Sequence, residues 1–174
     1  MSDLKVNGRL IVDNFYKKFE AMYPYLNPAL FYPSEIGGGE VNTGDTIANA
    51  RARATRQDLV GYTATGEFEL DVSEKIKIKS FQADFETHFK IKCYLNCRMP
   101  HKTLLGFGKT EYKWTAVGST DFAEMTLGEA NAALEKIGAQ KVSDTRTKGN
   151  DLGDKFLSTD DKFTSLINNK NNKK

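Results

Sequence analysis

The sequence predicts an α+β fold: mainly antiparallel sheet with packed helices, built from two diverged strand-helix-strand(-helix) repeats. Three observations predict it. Several short segments alternate apolar and polar residues, the period of a strand with one solvated face. Two segments carry aromatic residues at i, i+4, i+8, the period of one helix face. Both patterns recur in the same order 66 residues apart.

In the first segment, Leu10 and Val12 alternate with Arg9, Ile11 and Asp13, which reads as a strand. Asn14 is the expected N-cap, since its side chain can accept from an orphaned amide of the first helical turn. Phe15, Phe19 and Tyr23, with Met22 beside them, then form an aromatic helix face that Pro24 terminates. In "KIKIKSFQADFETHFKIKCYLN" the same grammar returns. Ile76 and Ile78 alternate with Lys75, Lys77 and Lys79, Ser80 takes the cap position, and Phe81, Phe85 and Phe89 repeat the spacing. A second echo, "GDTIANARARA" against "EMTLGEANAAL", aligns Thr46 with Thr126 and Ile47 with Leu127 at an offset of 80. These are short alanine-rich helices able to pack closely on a sheet.

Further strands are expected where Val60, Tyr62 and Ala64 alternate, and where Phe68, Leu70 and Val72 alternate with Glu67, Glu69 and Asp71. Ile91, Cys93 and Leu95 alternate with Lys90, Lys92 and Tyr94, and Tyr112, Trp114 and Ala116 alternate further on. Residues 33–45 are glycine-rich loop. The organisation that follows is residues 1–58 as a first repeat unit and 59–142 as a second, sharing one compact body. Residues 143–158 are a polar linker, and 159–174 a short terminal helix with a basic tail.

Composition narrows the function classes. With 174 residues, 39% of them hydrophobic, the chain can bury a core. A net charge of +2 gives no global field for nucleic acid or an anionic membrane, so such a partner needs a local patch. Two cysteines are too few for a disulfide framework. The N-terminal "MSDLKVNGRL" lacks the pattern of a signal peptide, and no apolar run approaches the roughly 20 residues that span a bilayer. A soluble, cytoplasmic protein without a membrane partner is expected.

Among chemical constellations, His88, Cys93, Cys97 and His101 offer two imidazoles and two thiols, a zinc-competent set. Their spacing matches no common zinc module, and buried thiols explain the cysteines equally well. "LLGFGKTEY" (104–112) ends like a phosphate-binding loop but has Thr103 where the leading glycine belongs. It overlaps an RNA-recognition signature at Gly106, Phe107, Gly108 and Tyr112, with Leu105 and Lys109 breaking it. Lys75, Lys77, Lys79, Lys90 and Lys92 are anion-binding candidates if their strands adjoin; an acid–base ladder with Glu67, Glu69 and Asp71 is the competing explanation. "RARATR" (51–56) is a small basic run at a helix end. No catalytic set and no cofactor is expected. The run "MYPYLNPALFYP" (22–33) makes Tyr23, Tyr25, Phe31 and Tyr32 candidates for a partner-binding patch, with burial under the first helix as the alternative. The function expected is a non-enzymatic binding, assembly or adaptor protein with a protein partner, self-association included. Nucleic-acid binding through the lysine strands, or a small enzyme whose site is hidden in sequence, are the alternatives.

Overall fold

The computed structural model describes residues 4–55, 69–101 and 110–144. Along them run β1 (Leu4–Asn7), α1 (Val12–Met22), β2 (Asn27–Phe31), α2 (Ile47–Ala54), β3 (Glu69–Val72), α3 (Ile78–Phe89), β4 (Lys92–His101), β5 (Glu111–Ala116) and α4 (Leu127–Lys136). The fold class is α+β, and every strand pairing among the described residues is antiparallel. One sheet has the order β1-β3, the other β2-β4-β5. The chain divides into two units, Met1–Val142 and Ser143–Lys174, and the elements above all belong to the first. The strand expected at 58–66, the glycine-rich run at 104–109 and the terminal helix lie outside the described residues.

The four-residue aromatic spacing produces what it predicts. Helix α1 buries Phe15, Tyr16 and Phe19, and α3 buries Phe81, Phe85 and Phe89. The two helices face each other ring to ring: Phe15 lies 5.5 Å from Phe85, and Phe19 5.6 Å from Phe81. Offset pairs at such separations add to the stabilisation from area burial alone. Because 15 pairs with 85 and 19 with 81, the helices run antiparallel, each against its counterpart 66 residues away. The strands do the same. Leu4 opposes Val72 and Val6 opposes Leu70 in one sheet, while Asn27 opposes Asn96 and Leu30 opposes Cys93 in the other. Elements that each meet their own counterpart antiparallel are what a two-fold axis generates.

Helix starts are where sequence and structure part. The predicted strands at 9–13 and 75–79 do not form, and neither Asn14 nor Ser80 caps a helix. Helices α1 and α3 begin earlier, after Ile11 and Lys77, with no side-chain cap. Backbone carbonyls satisfy the orphan amides instead. The Val12 and Asp13 amides donate to the carbonyls of Asp45 and Thr43 at 3.0 and 2.9 Å, and that of Ile78 donates to Met125 at 2.9 Å. The entry turns are clamped in return: Ile47 donates to Leu10 at 3.0 Å and Leu127 to Ile76 at 2.9 Å. Alternation was a true sign of facing, since Val12 and Ile78 are buried, but the residues sit in a turn and a first helical residue.

The small helices are capped by Thr46 and Thr126. Each hydroxyl accepts from the amide three residues on, and Glu129 closes a capping box by accepting from the Thr126 amide at 3.0 Å. That bond holds the Glu129 carboxyl below its ordinary range. Each small helix also reaches across to the other half. Arg51 donates to the His88 carbonyl at 3.2 Å, and Asn131 accepts from the Tyr25 amide at 3.1 Å.

Where α2 and α4 cross their entry turns, a Cβ on both partners would make a contact tighter than ordinary. A Cβ on Gly8 would stand 3.2 Å from that of Ala48, and a Cβ on Gly128 would stand 3.1 Å from that of Glu74. The Ala48 amide donates to Gly8 at 2.8 Å and the Gly128 amide to Glu74 at 3.0 Å, so the backbones cannot retreat without losing a bond. The glycine is the entry-turn residue in one contact and the helix residue in the other. Gly8→Ala should therefore lower the free energy of unfolding by about 1 kcal/mol. In an Ala48→Gly background the same substitution should instead raise it by about 0.4–1 kcal/mol, since alanine then only restricts the unfolded chain. Urea unfolding of the four variants checks this; an effect of Gly8→Ala that is the same in both backgrounds would refute the contact.

Candidate binding face

Strand alternation in the β2-β4-β5 sheet sends Cys93, Leu95 and Cys97 inward, where each is buried. The opposite face carries Lys92, Tyr94, Asn96 and Arg98 from β4, Ala29 and Phe31 from β2, and Tyr112 and Trp114 from β5, in the observed register. This outer face holds the largest exposed rings among the described residues: Tyr94 is 44% and Trp114 48% exposed. Phe31 meets Tyr94 edge to face at 5.7 Å. The Arg98 guanidinium lies over the Trp114 ring at 5.5 Å, and its Nη2 donates to the Tyr112 carbonyl at 3.2 Å. A cation–π stack of this kind, here on a half-exposed ring, helps to hold both side chains on the face. Glu40, bridged to Phe31, is the carboxylate at its margin.

A groove of about 490 Å³ borders this face between α3 and β4, with Lys79, Lys92 and Glu86 beside Tyr94. Gln82 closes part of it by donating to the Cys93 carbonyl at 3.1 Å.

The sequence-predicted candidates are dispersed differently. Tyr23 and Tyr25 are buried, 3% and 7% exposed, so the tyrosine patch is not a surface. Tyr25 donates its hydroxyl to Glu135 at 3.2 Å, and its neighbour Leu30 donates its amide to the Tyr16 hydroxyl at 2.9 Å. Of the four, Phe31 and Tyr32 are half-buried, and Phe31 belongs to the outer face.

The five lysines do not share a strand face. Lys75 sits in a turn, Lys77 precedes α3, Lys79 is in its first turn, and Lys90 caps its end with φ 57°. Lys77 and Lys79 approach Glu124 at 3.9 and 3.7 Å. Only Lys92 stands on the sheet face. The acid–base ladder exists with another partner: Glu69 and Asp71 lie 2.8 and 4.0 Å from Lys5 on β1, and the bond from Glu69 raises the Lys5 ammonium pKa.

His88, Cys93, Cys97 and His101 are not gathered into one centre. Cys93 and Cys97 are four residues apart on one strand, about 13 Å at strand rise. Both point into the core, whereas His101 is exposed at the strand end. His88 places Nδ1 2.7 Å from the Asp84 carbonyl of its own helix. No group of three or more His, Cys, Asp or Glu among the described residues is placed to hold a metal ion. Among them, too, no helix is long and apolar enough to cross a membrane.

Comparison of the chain with protein families, with curated proteins and with solved structures finds no match.

Tyr94 and Arg98 were missed as candidates because the sequence places them on the polar side of their strand; the signal was a tyrosine alternating in phase with Lys92. Trp114 was read correctly as part of an alternating strand, and its face turns out to be the solvated one.

Burial pushes the Cys93 thiol far up, and that of Cys97 up to about 11. Neither thiol should react with Ellman's reagent at pH 8 in the folded protein, and both should react in denaturant. A raised folded-state pKa stabilises fully below the unfolded value of about 8.5 and is lost as pH rises through it. The urea midpoint should accordingly fall between pH 8.5 and about 11, and fall less in Cys97→Ala. Rapid labelling of the native protein at pH 8 would contradict the placement of both residues.

Proposed function

We propose that this chain is a non-enzymatic binding or assembly protein and that its contact surface is the outer face of the β2-β4-β5 sheet. The observation that carries the reading is the exposure of Tyr94 and Trp114 on the same sheet face, with Arg98 stacked on Trp114. Tyrosine, tryptophan and arginine are the residue types that carry most interface energy. Two large exposed rings sharing one sheet face support the reading that another molecule covers it. The tyrosine run at 22–33 no longer supports a separate patch, so the reading rests on the sheet face alone.

Two further proposals accompany it. The protein acts in the cytoplasm, a reading supported by the free thiols Cys93 and Cys97. The two halves are diverged copies of one strand-helix-strand(-helix) module. In support, β1 pairs with β3, β2 with β4 and α1 packs on α3, each near offset 66, and the glycine contact at α2 and α4 recurs at offset 80 on one side.

Affinity capture from the native host tests the contact surface. Whatever the wild-type chain retains should be lost with Tyr94→Ala and Trp114→Ala, and kept with Ile137→Ala, which removes an exposed apolar residue elsewhere. Both face variants should melt within a few degrees of wild type, because a surface substitution costs roughly 0.5 kcal/mol or less. Capture that is indifferent to both rings rules the surface out.

A further inference from the structure

We infer that the outer sheet face binds single-stranded nucleic acid, a reading that rests on the sheet face being the contact surface. The argument begins with what the face displays. Phe31, Tyr94, Trp114 and Tyr112 present rings from three adjacent strands. Bases of any sequence can stack on such rings, because every base has a π face. Tyr94 and Arg98, the residue opposite Trp114, lie four positions apart on β4, about 13 Å. That separation suits two or three nucleotides laid across the sheet, as on other sheet platforms.

Charge selects among ligands. Lys92 stands in line with Phe31, and Arg98 with Trp114, so each ring-bearing end of the face has a cation beside it. The groove next to Tyr94 is lined by Lys79, Lys92 and Glu86, and Lys79 also lies 3.7 Å from Glu124. Within the three strands no carboxylate points from this face; Glu40 marks its margin at Phe31. Rings interleaved with cations, and carboxylates held to the rim, complement a polymer of flat bases joined by phosphates. A duplex hides its base faces and cannot use the rings. The net charge of only +2 bears on the mode of binding: attraction is local to this face, so the ligand must be short or locally engaged.

The chain supplies its own reporter, because Trp114 is its single tryptophan. Adding a 12-nucleotide thymidine oligomer, or its uridine counterpart, to the full chain in low salt should quench Trp114 fluorescence. A duplex of equal length should not. Tyr94→Ala should weaken binding roughly 5- to 150-fold, the range of one lost base stack. The logarithm of affinity should fall with the logarithm of salt at about −0.7 per phosphate contacted. Lys92→Gln should reduce that slope by about 0.7. Unchanged fluorescence at low salt with both oligomers overturns the inference. If host-protein capture is then still lost with Tyr94→Ala, the face binds protein and only the nucleic-acid assignment fails. If capture is indifferent as well, the sheet face itself is not the contact surface. Quenching that survives Tyr94→Ala and shows no salt dependence also overturns the inference.

Discussion

The contact on which the remainder of this structure depends is the antiparallel packing of two phenylalanine-faced helices. Phe15, Phe19, Phe81 and Phe85 are all fully buried, and each ring of one helix meets a ring of the other. Removing a buried phenylalanine costs about 3–5 kcal/mol, comparable to much of the net stability of a domain this size. The placement of the sheets follows from that axis. A strand precedes and a strand follows each aromatic helix, so once the helices lie antiparallel the flanking strands are brought antiparallel to their own counterparts. Both observed registers have this form. The small helices then lock the arrangement, because their entry residues serve as caps for the aromatic helices.

Departure from this symmetry locates the unusual chemistry. The first half leaves β2 through a loop that includes Gly37 in the left-handed region at φ 110°. The second half instead continues β4 to ten residues and turns back as β5 before reaching Thr126. The longer offset of the small helices, 80 rather than 66, is this hairpin. Trp114, Tyr112 and Arg98 all lie on it. Residues that only one half possesses are not required by the core that both halves build. Of the three, Trp114 is exposed, and its exposure is not dictated by that core.

Periodicity made the core legible and left the surface ambiguous. The i, i+4, i+8 aromatic residues are assignable because three matches on one helix face, found in two segments, have few alternatives. Leu70 and Val72 against Glu69 and Asp71 were equally clear, since one face of a two-stranded ribbon is buried and the other is not. Helix caps failed for a physical reason. A side-chain cap can be read from the local sequence, but the amides that follow Ile11 and Lys77 are satisfied by carbonyls thirty or more residues away along the chain. The lysine face failed with it: once Ile78 starts a helix, Lys75, Lys77 and Lys79 no longer share the strand geometry that would have aligned them. A proline-bounded aromatic run looks like a loop, yet Pro28 pairs across β2 and β4, Tyr23 packs on Phe19 of α1 and Tyr25 bonds to Asn131 and Glu135 of α4.

Trp114 shows why the candidate site in particular resists reading from sequence. Alternation along β5 separates Tyr112, Trp114 and Ala116 from Glu111, Lys113 and Thr115, and the apolar set would ordinarily face the core. Here Glu111, Lys113, Trp114 and Ala116 are all exposed. A period of two records which residues share a face; it carries no information on which face is dry. That is settled by β4, where Cys93, Leu95 and Cys97 fill the buried side and fix the register with β5 through the Cys97–Thr115 pair. With the thiols committed to the core, Tyr94, Arg98 and Trp114 have only the solvent side left to occupy. The same two cysteines that suggested a metal site are thus what orients the aromatic face outward.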